Sequence, residues 1–291
     1  MHVLRTLPVF LLIILTATAW ASQPVPFSPE RAEGMTPEQQ MRAAQRHLEQ
    51  MPPDLVEARL WLEQAAAQGS TEAMGNVGWL YEQGLGVEAN PQRAMQYYQQ
   101  AYQAGENEFG LRIAWMYIHG VGMNPDRNQG EQWFRRIIQE RNDSSARLAL
   151  ATILIDDAVN QSRERDPAPE ARDLLVRALD DGVLEAAYYL TRMYSQGLGS
   201  VQQDRRAVVH YTVIGAQAGH PEMQTWLAAL HLRGEGVERD IIAAYKWASL
   251  ASAAGDSSGE RLRRDLEQQL DTADIAQGRQ RALRWLEERG Q

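Results

Sequence analysis

The chain has 291 residues, which at roughly 100–200 residues per domain allows one large or two ordinary folding units. Its formal net charge is -9, and the acidic balance argues against sequence-independent nucleic-acid binding and against docking on anionic lipid, both of which need clustered cations. Cysteine is absent, which excludes disulfides, thiol nucleophiles, Fe–S clusters and zinc-thiolate sites, and Lys246 alone of the 29 cationic residues is a lysine, the single candidate for Schiff-base chemistry.

Residues 1–21 have the layout of a cleavable secretory signal. His2 and Arg5 form a short basic region, Leu7–Leu15 is apolar apart from Pro8, and Ala19-Trp20-Ala21 fits the small-x-small cleavage rule, leaving Ser22 as the new terminus. The apolar run is about 13 residues, short of the ~20 that span a bilayer. Without that segment 28 bases face 38 acids, a net charge of -10. The expectation is a soluble exported protein, in the periplasm of a bacterium, with no transmembrane segment after cleavage. Residues 22–36, with Pro24, Pro26, Pro29 and Gly34, read as a disordered lead.

From residue 37 onward the chain repeats. Four glycine turns recur, Gly84-Leu85-Gly86-Val87, Gly120-Val121-Gly122-Met123, Gly197-Leu198-Gly199-Ser200 and Gly234-Glu235-Gly236-Val237, their first glycines 36, 77 and 37 apart. A second series, Gly69, Gly105, Asn142, Gly182, Gly219 and Gly255, is spaced by 36, 37, 40, 37 and 36. Apolar residues precede each glycine turn at i, i+4, i+7, i+8 spacing, one face of a helix: Ala73, Val77, Leu80 and Tyr81 in the first copy, Ala186, Leu190, Met193 and Tyr194 in a later one. A second helix per period carries a small residue three before a bulky one, as in Ala58/Trp61, Ala94/Tyr97, Ala171/Leu174 and Ala244/Trp247, so that neighbouring helices interdigitate. Glycine at these points ends helices, because it takes the left-handed conformation without steric cost. The turn is lost in a degenerate unit at 143–182, and Pro52-Pro53 replaces it in the first unit.

Leu80-Tyr81-Glu82-Gln83-Gly84-Leu85-Gly86-Val87 followed by Ala94-Met95-Gln96-Tyr97-Tyr98-Gln99-Gln100-Ala101 resembles a Sel-1-like repeat, a subclass of the tetratricopeptide-type solenoid, as does Leu232–Asp240 followed by Ala244-Tyr245-Lys246-Trp247. The resemblance covers residues 37–255 in about six units. It implies an all-α, right-handed superhelix of antiparallel helix pairs, closed by capping helices over 256–291. In that tail Leu262, Leu266 and Leu270 form one apolar stripe and Ile275, Leu283 and Leu286 another.

No catalytic pattern stands out. The histidines His2, His47, His119, His210, His220 and His231 show no His pair at i, i+4. The run Gly255-Asp256-Ser257-Ser258-Gly259 lies between helical segments and so is no nucleophile elbow, which needs a preceding strand, and each Gly-x-Gly likewise lies between helices, not after a strand. Acidic pairs such as Asp156-Asp157 read as solvated turns. Cysteine-paired relatives are linked to β-lactam-like ligands, but this cysteine-free chain does not inherit that activity. No metal, no cofactor and no enzymatic activity are expected.

Residues that the core does not need lie 12, 8, 5 and 1 before each glycine turn. They are Glu72, Asn76, Trp79 and Gln83; Glu108, Arg112, Trp115 and His119; Glu185, Tyr189, Arg192 and Gln196; and Glu222, Trp226, Ala229 and Arg233. The glutamates suit the first helical turn, where negative charge favours the dipole. The other positions are rich in Trp, Tyr and Arg, the residue types that dominate binding hot spots. The resemblance places the first helix of each unit on the concave surface. The candidate groove is therefore Asn76, Trp79, Arg112, Trp115, His119, Tyr189, Arg192, Trp226 and Arg233. The alternative for Trp79 and Trp115 is packing between repeats. The second-helix aromatics Trp61, Tyr97, Trp133 and Trp247 read as core.

The expected function is a non-catalytic, monomeric scaffold or adaptor of the cell envelope, holding an extended peptide or a partner protein. The resemblance implies adaptor roles of this kind for exported members. The alternatives are an envelope-glycan binder, a peptidoglycan-acting enzyme and a self-associating structural protein. Nucleic acid is not among the expected partners.

Overall fold

The computed structural model describes residues 24–162 and 164–290, and the expected signal segment lies outside them. Among the described residues there are fifteen helices and no strand: α1 (Pro29–Ala32), α2 (Pro37–Leu48), α3 (Leu55–Ala67), α4 (Thr71–Gln83), α5 (Pro91–Gln103), α6 (Asn107–His119), α7 (Arg127–Arg141), α8 (Ser144–Asn160), α9 (Ala168–Asp180), α10 (Ala186–Gln196), α11 (Arg205–Gln217), α12 (Pro221–Arg233), α13 (Ile241–Ala253), α14 (Ser257–Glu267) and α15 (Thr272–Arg289). Helices pack on their neighbours in sequence, with α2/α3, α4/α5, α8/α9, α10/α11 and α12/α13 as pairs, the arrangement of an α-solenoid. The chain divides into two compact units, one ending at Trp133 and the other starting at Phe134, so that α7 carries the boundary.

Local chemistry sets the helix ends. Side-chain oxygens of Ser70, Asn90, Asp143, Asp240 and Asp256 accept from the backbone N–H three residues on, satisfying donors that a helix start leaves open. Every glycine of both repeat series has positive φ, from 55° at Gly199 to 116° at Gly105. The second glycine of the Gly-x-Gly turn has a further reason to be glycine. A Cβ on Gly86 would lie 2.4 Å from the carbonyl oxygen of Leu55, and one on Gly122 would lie 2.3 Å from Pro91. Each turn is thus pressed onto the start of the preceding unit's second helix, which fixes how one repeat sits on the last.

In the first unit the core joins Ala73, Val77, Leu80 and Tyr81 of α4 to Ala58, Trp61 and Leu62 of α3 and to Ala94 and Tyr98 of α5. Trp61 is 1% exposed. The expectation of a disordered lead is corrected over residues 24–36. Phe27 meets Trp61 edge-on with ring centroids 5.1 Å apart, its backbone N–H donates to Glu57, and Ala32 is fully buried. A capping box at Thr36 and Gln39 then starts α2. Of the prolines that suggested disorder, Pro29 stands at N1 of α1, where proline suits a helix start.

In the second unit the degenerate repeat keeps its helix pair. α8 runs to 17 residues, against 13 for α4 and α12, and ends at Gln161, whose φ of 50° does the work of the missing glycine. Asn142 likewise holds φ 55° in the second series. Asp166 then ties this unit to the next, accepting from the N–H of Ala168 and of Ser200. The next stretch of core joins Leu227 and Leu230 of α12 to Tyr245 and Trp247 of α13, and the cap closes it. Leu266 is fully buried, with Leu262 and Leu270 packed beside the core. The second expected stripe is corrected. Ile275, Gly278, Ala282 and Trp285 face the core, and Leu283 and Leu286 are 59% and 50% exposed. A bulky indole beside small Gly278 and Ala282 fits under Tyr245 and Trp247 where the two leucines would not.

Candidate functional site

The two units are separate bodies and their candidate surfaces are described in turn. In the first unit α2 and α4, the leading helices of consecutive pairs, flank a groove of about 930 Å³. Its floor is apolar, formed by Met41, Leu48 and Leu62, and its rim carries Glu38, Glu49, Glu72 and Asn76. Glu72 and Asn76 share a face of α4 with Trp79, one turn further along. Trp79 is 42% exposed and, among the described residues, stacks on no other ring.

The three candidates on α6 differ from one another. Trp115 is half-buried and stacks on the exposed His119, ring centroids 5.4 Å apart and planes 14° apart. Arg112 turns toward α4 instead. Its guanidinium makes two hydrogen bonds to Glu82, one from Nε at 3.0 Å and one from Nη2, and the Tyr98 hydroxyl donates to the same carboxylate at 2.9 Å. Burial opposes the charge on Arg112, but the Glu82 carboxylate outweighs it and raises the guanidinium pKa. Burial, reinforced by Glu82, also pushes the Tyr98 hydroxyl up. Arg112 therefore joins one repeat to the next.

In the second unit the aromatic candidates pack against one another. Tyr188 is the hub: His220 stacks on it at 4.9 Å and Trp226 at 5.8 Å, Tyr189 meets it edge-on at 5.3 Å, and the Arg192 guanidinium lies 5.6 Å over its ring. Tyr189 is half-buried, and burial together with Glu185 raises its hydroxyl pKa. A smaller cavity of about 360 Å³ between α10, α11 and α12 is lined by Trp226, Arg233, Tyr194 and Arg205. Arg233 there pairs with Glu235 at 3.0 Å. The structure thus brings Asn76 and Trp79 to one face and gathers Tyr189, Arg192 and Trp226 around Tyr188.

Two sets of residues escape the sequence reading. Tyr188 lies one place, and His220 two places, off the positions counted from the glycine turns, although the Tyr188-Tyr189 doublet offered a choice of two rings. The α2 side of the larger groove was out of reach because the first unit has Pro52-Pro53 where the count would begin. Lys246 is occupied as well, its ammonium 4.1 Å from the Trp247 ring centroid, where burial lowers its pKa. Among the described residues no group of three His, Asp or Glu is placed to hold a metal ion, and no helix is long and apolar enough to cross a membrane.

Comparison with known proteins agrees with this architecture. The family model described as "Sel1 repeat" matches residues 40–70, 71–106, 111–140, 184–220 and 221–256, passing over the degenerate unit and the cap. Among solved structures, a Sel1 repeat protein from Oxalobacter formigenes is 24% identical over 84% of this chain and 95% of that one, with a TM-score of 0.57, a likeness of fold. A protective antigen of uropathogenic Escherichia coli, c5321, described as displaying an SLR fold, is 20% identical over 88% of this chain and 70% of that one, with a TM-score of 0.46. The immunity protein Pa5087 from Pseudomonas aeruginosa is 16% identical over 83% and 84%, with a TM-score of 0.40. With five copies of the repeat matched over more than half of its length, the chain belongs to the Sel1 repeat family.

Proposed function

We propose that this protein is a non-catalytic adaptor of the bacterial cell envelope, exported to the periplasm by residues 1–21, that holds an extended peptide or a partner protein on the face formed by the leading helices of its repeats. Sel1 repeats in general mediate protein–protein interactions. One observation carries the reading. Trp79, on the leading helix of a well-packed repeat, presents an indole that the core does not use. A large rigid side chain left in water is costly to solubility and is a usual anchor of binding interfaces. Repeated units suit an extended partner, because each adds one set of contacts.

The test is photo-crosslinking in cells from positions 79, 115 and 192, with mass spectrometry of the adducts and N-terminal sequencing of the mature chain. The expected result is one recurrent protein adduct from position 79 and a terminus at Ser22. Adducts that consist only of glycan would favour the envelope-sugar alternative. No adduct from any of the three positions, with the protein folded and exported, would overturn the proposal.

A further inference from the structure

The groove between α2 and α4 has a chemistry of its own, and a docking role for it rests on the adaptor reading. Glu38, Glu49 and Glu72 stand on its rim against one guanidinium, Arg42, whose Nε donates to the Glu38 backbone oxygen at 3.3 Å. Among the described residues none of the three glutamates makes an ion pair, and Glu72 and Glu38 are exposed. Glu38 accepts from Thr36, which with its own backbone holds its carboxyl below the usual range, so its charge persists into mild acid. The floor of Met41, Leu48 and Leu62 offers apolar contact between these charges. Beyond Asn76, on the same face of α4, stands the Trp79 indole, over which no cation and no ring lies among the described residues, the preferred aromatic face for a guanidinium or ammonium. Carboxylates, an apolar floor and an open indole all favour the same kind of occupant.

We propose that the α2–α4 groove is a docking site for a basic, extended polypeptide segment, one that alternates arginine or lysine with apolar side chains: the cations meet Glu38, Glu49, Glu72 and the Trp79 face, and the apolar side chains enter the Met41–Leu48–Leu62 floor. Alternation matters because successive side chains of an extended chain point to opposite sides, so a strand lying in the groove presents one set to the floor and the other to the rim. An acidic segment is excluded by the same charges, which gives the site selectivity as well as attraction.

The test uses the full mature chain and a fluorescein-labelled peptide of about eight residues alternating Arg and Leu, with binding read by anisotropy. The matched probe replaces each Arg with Glu. The variant E38Q/E49Q/E72Q removes the rim charges at surface positions. The variant E88Q/E238Q/D265N removes the same number of charges from exposed sites elsewhere and controls for net charge. The expected result is saturable binding of the Arg–Leu peptide, weakened about tenfold in the rim variant and by Trp79→Ala, but not in the control variant. Raising NaCl from about 50 mM to about 500 mM weakens it further. The Glu–Leu peptide does not bind. Equal loss in the rim and control variants, binding of the Glu–Leu peptide, or no binding of the Arg–Leu peptide would each overturn the inference. Crosslinking from position 79 to a partner whose contact segment is acidic would overturn it while leaving the adaptor reading intact.

Discussion

Glu82 and Arg112, thirty residues apart, form a hydrogen-bonded ion pair that joins the second repeat to the third. The carboxylate is 4% exposed and the guanidinium 24%, and Tyr98 donates to the carboxylate. Arg112→Ala leaves the Glu82 charge with only the Tyr98 hydroxyl and a long 3.4 Å hydrogen bond from Gln83 Nε2 in a dry setting. Breaking a fully buried pair costs about 3–5 kcal/mol, and the partial exposure of Arg112 reduces this to about 2–3 kcal/mol. Chemical denaturation should show a loss of that size. The double variant E82M/R112M should recover most of it, because two apolar groups leave no charge stranded. A neutral Arg112→Ala would mean that the pair contributes nothing in solution.

Trp79 and Trp61 make the opposite case. Trp79→Ala should cost no more than about 1–2 kcal/mol, since a 42% exposed side chain has only part of a core indole's packing to lose, and should abolish partner crosslinking. Trp61→Ala, at 1% exposure and with Phe27 edge-on against it, should cost about 3–5 kcal/mol. Urea titration of the two variants separates them. A Trp79→Ala loss of more than about 2 kcal/mol would return that indole to the core.

The repeats were legible because glycine answers a backbone requirement that few other residues meet. Both glycine series fall at positive φ, and the apolar positions counted from them are the buried ones on α4, α10 and α12. Reading became harder where another residue took that role, as Gln161 does at the end of α8. Composition misled over 24–36, because a pair of rings, Phe27 on Trp61, outweighs three prolines. Periodicity misled in α15, where the spacing of Leu283 and Leu286 is helical but the steric fit under Tyr245 selects Gly278 and Ala282. The candidate site was legible as a face and not as contacts. One helical position cannot say whether an Arg reaches solvent or, like Arg112, a carboxylate of the neighbouring repeat.

The C-terminal cap should loosen in acid. Asp240 caps α13 through the Ala243 N–H at 2.9 Å and accepts from Arg281 of α15 at 2.8 Å. Burial works to raise its pKa, but these hydrogen bonds and the Arg281 charge outweigh it and hold the carboxyl below its ordinary 3.8. Glu267 is lowered likewise, first by the Tyr245 hydroxyl and then by Arg263 and Arg279. A group with a depressed folded pKa contributes fully above its unfolded value, and that contribution is lost as pH falls through the folded one. Hydrogen exchange of α15 amides should therefore speed up below about pH 4 while α12 stays protected. Asp240→Asn should flatten that pH dependence. An unchanged profile in the variant would show that Asp240 plays no part in it.

A methyl group added inside α4 should destabilise the repeat although alanine is the better helix former. Gly78 lies mid-helix, where replacing glycine with alanine ordinarily gains about 1 kcal/mol. Here the new Cβ would lie 2.6 Å from Cε1 of Tyr98 and 2.8 Å from its Cδ1. The ring cannot step aside easily. It is 2% exposed, stacked on Phe109 at 5.5 Å, and tethered through its hydroxyl to Glu82. Overpacking of this kind costs about 1–3 kcal/mol, so the two effects oppose and the steric one should win. Gly78→Ala should lower stability by about 1 kcal/mol or more in urea titration. In Y98F/G78A the ring is free of its tether and the penalty for the added methyl should shrink, whereas an equal penalty with and without the hydroxyl would show that the Phe109 stack alone holds the ring in place.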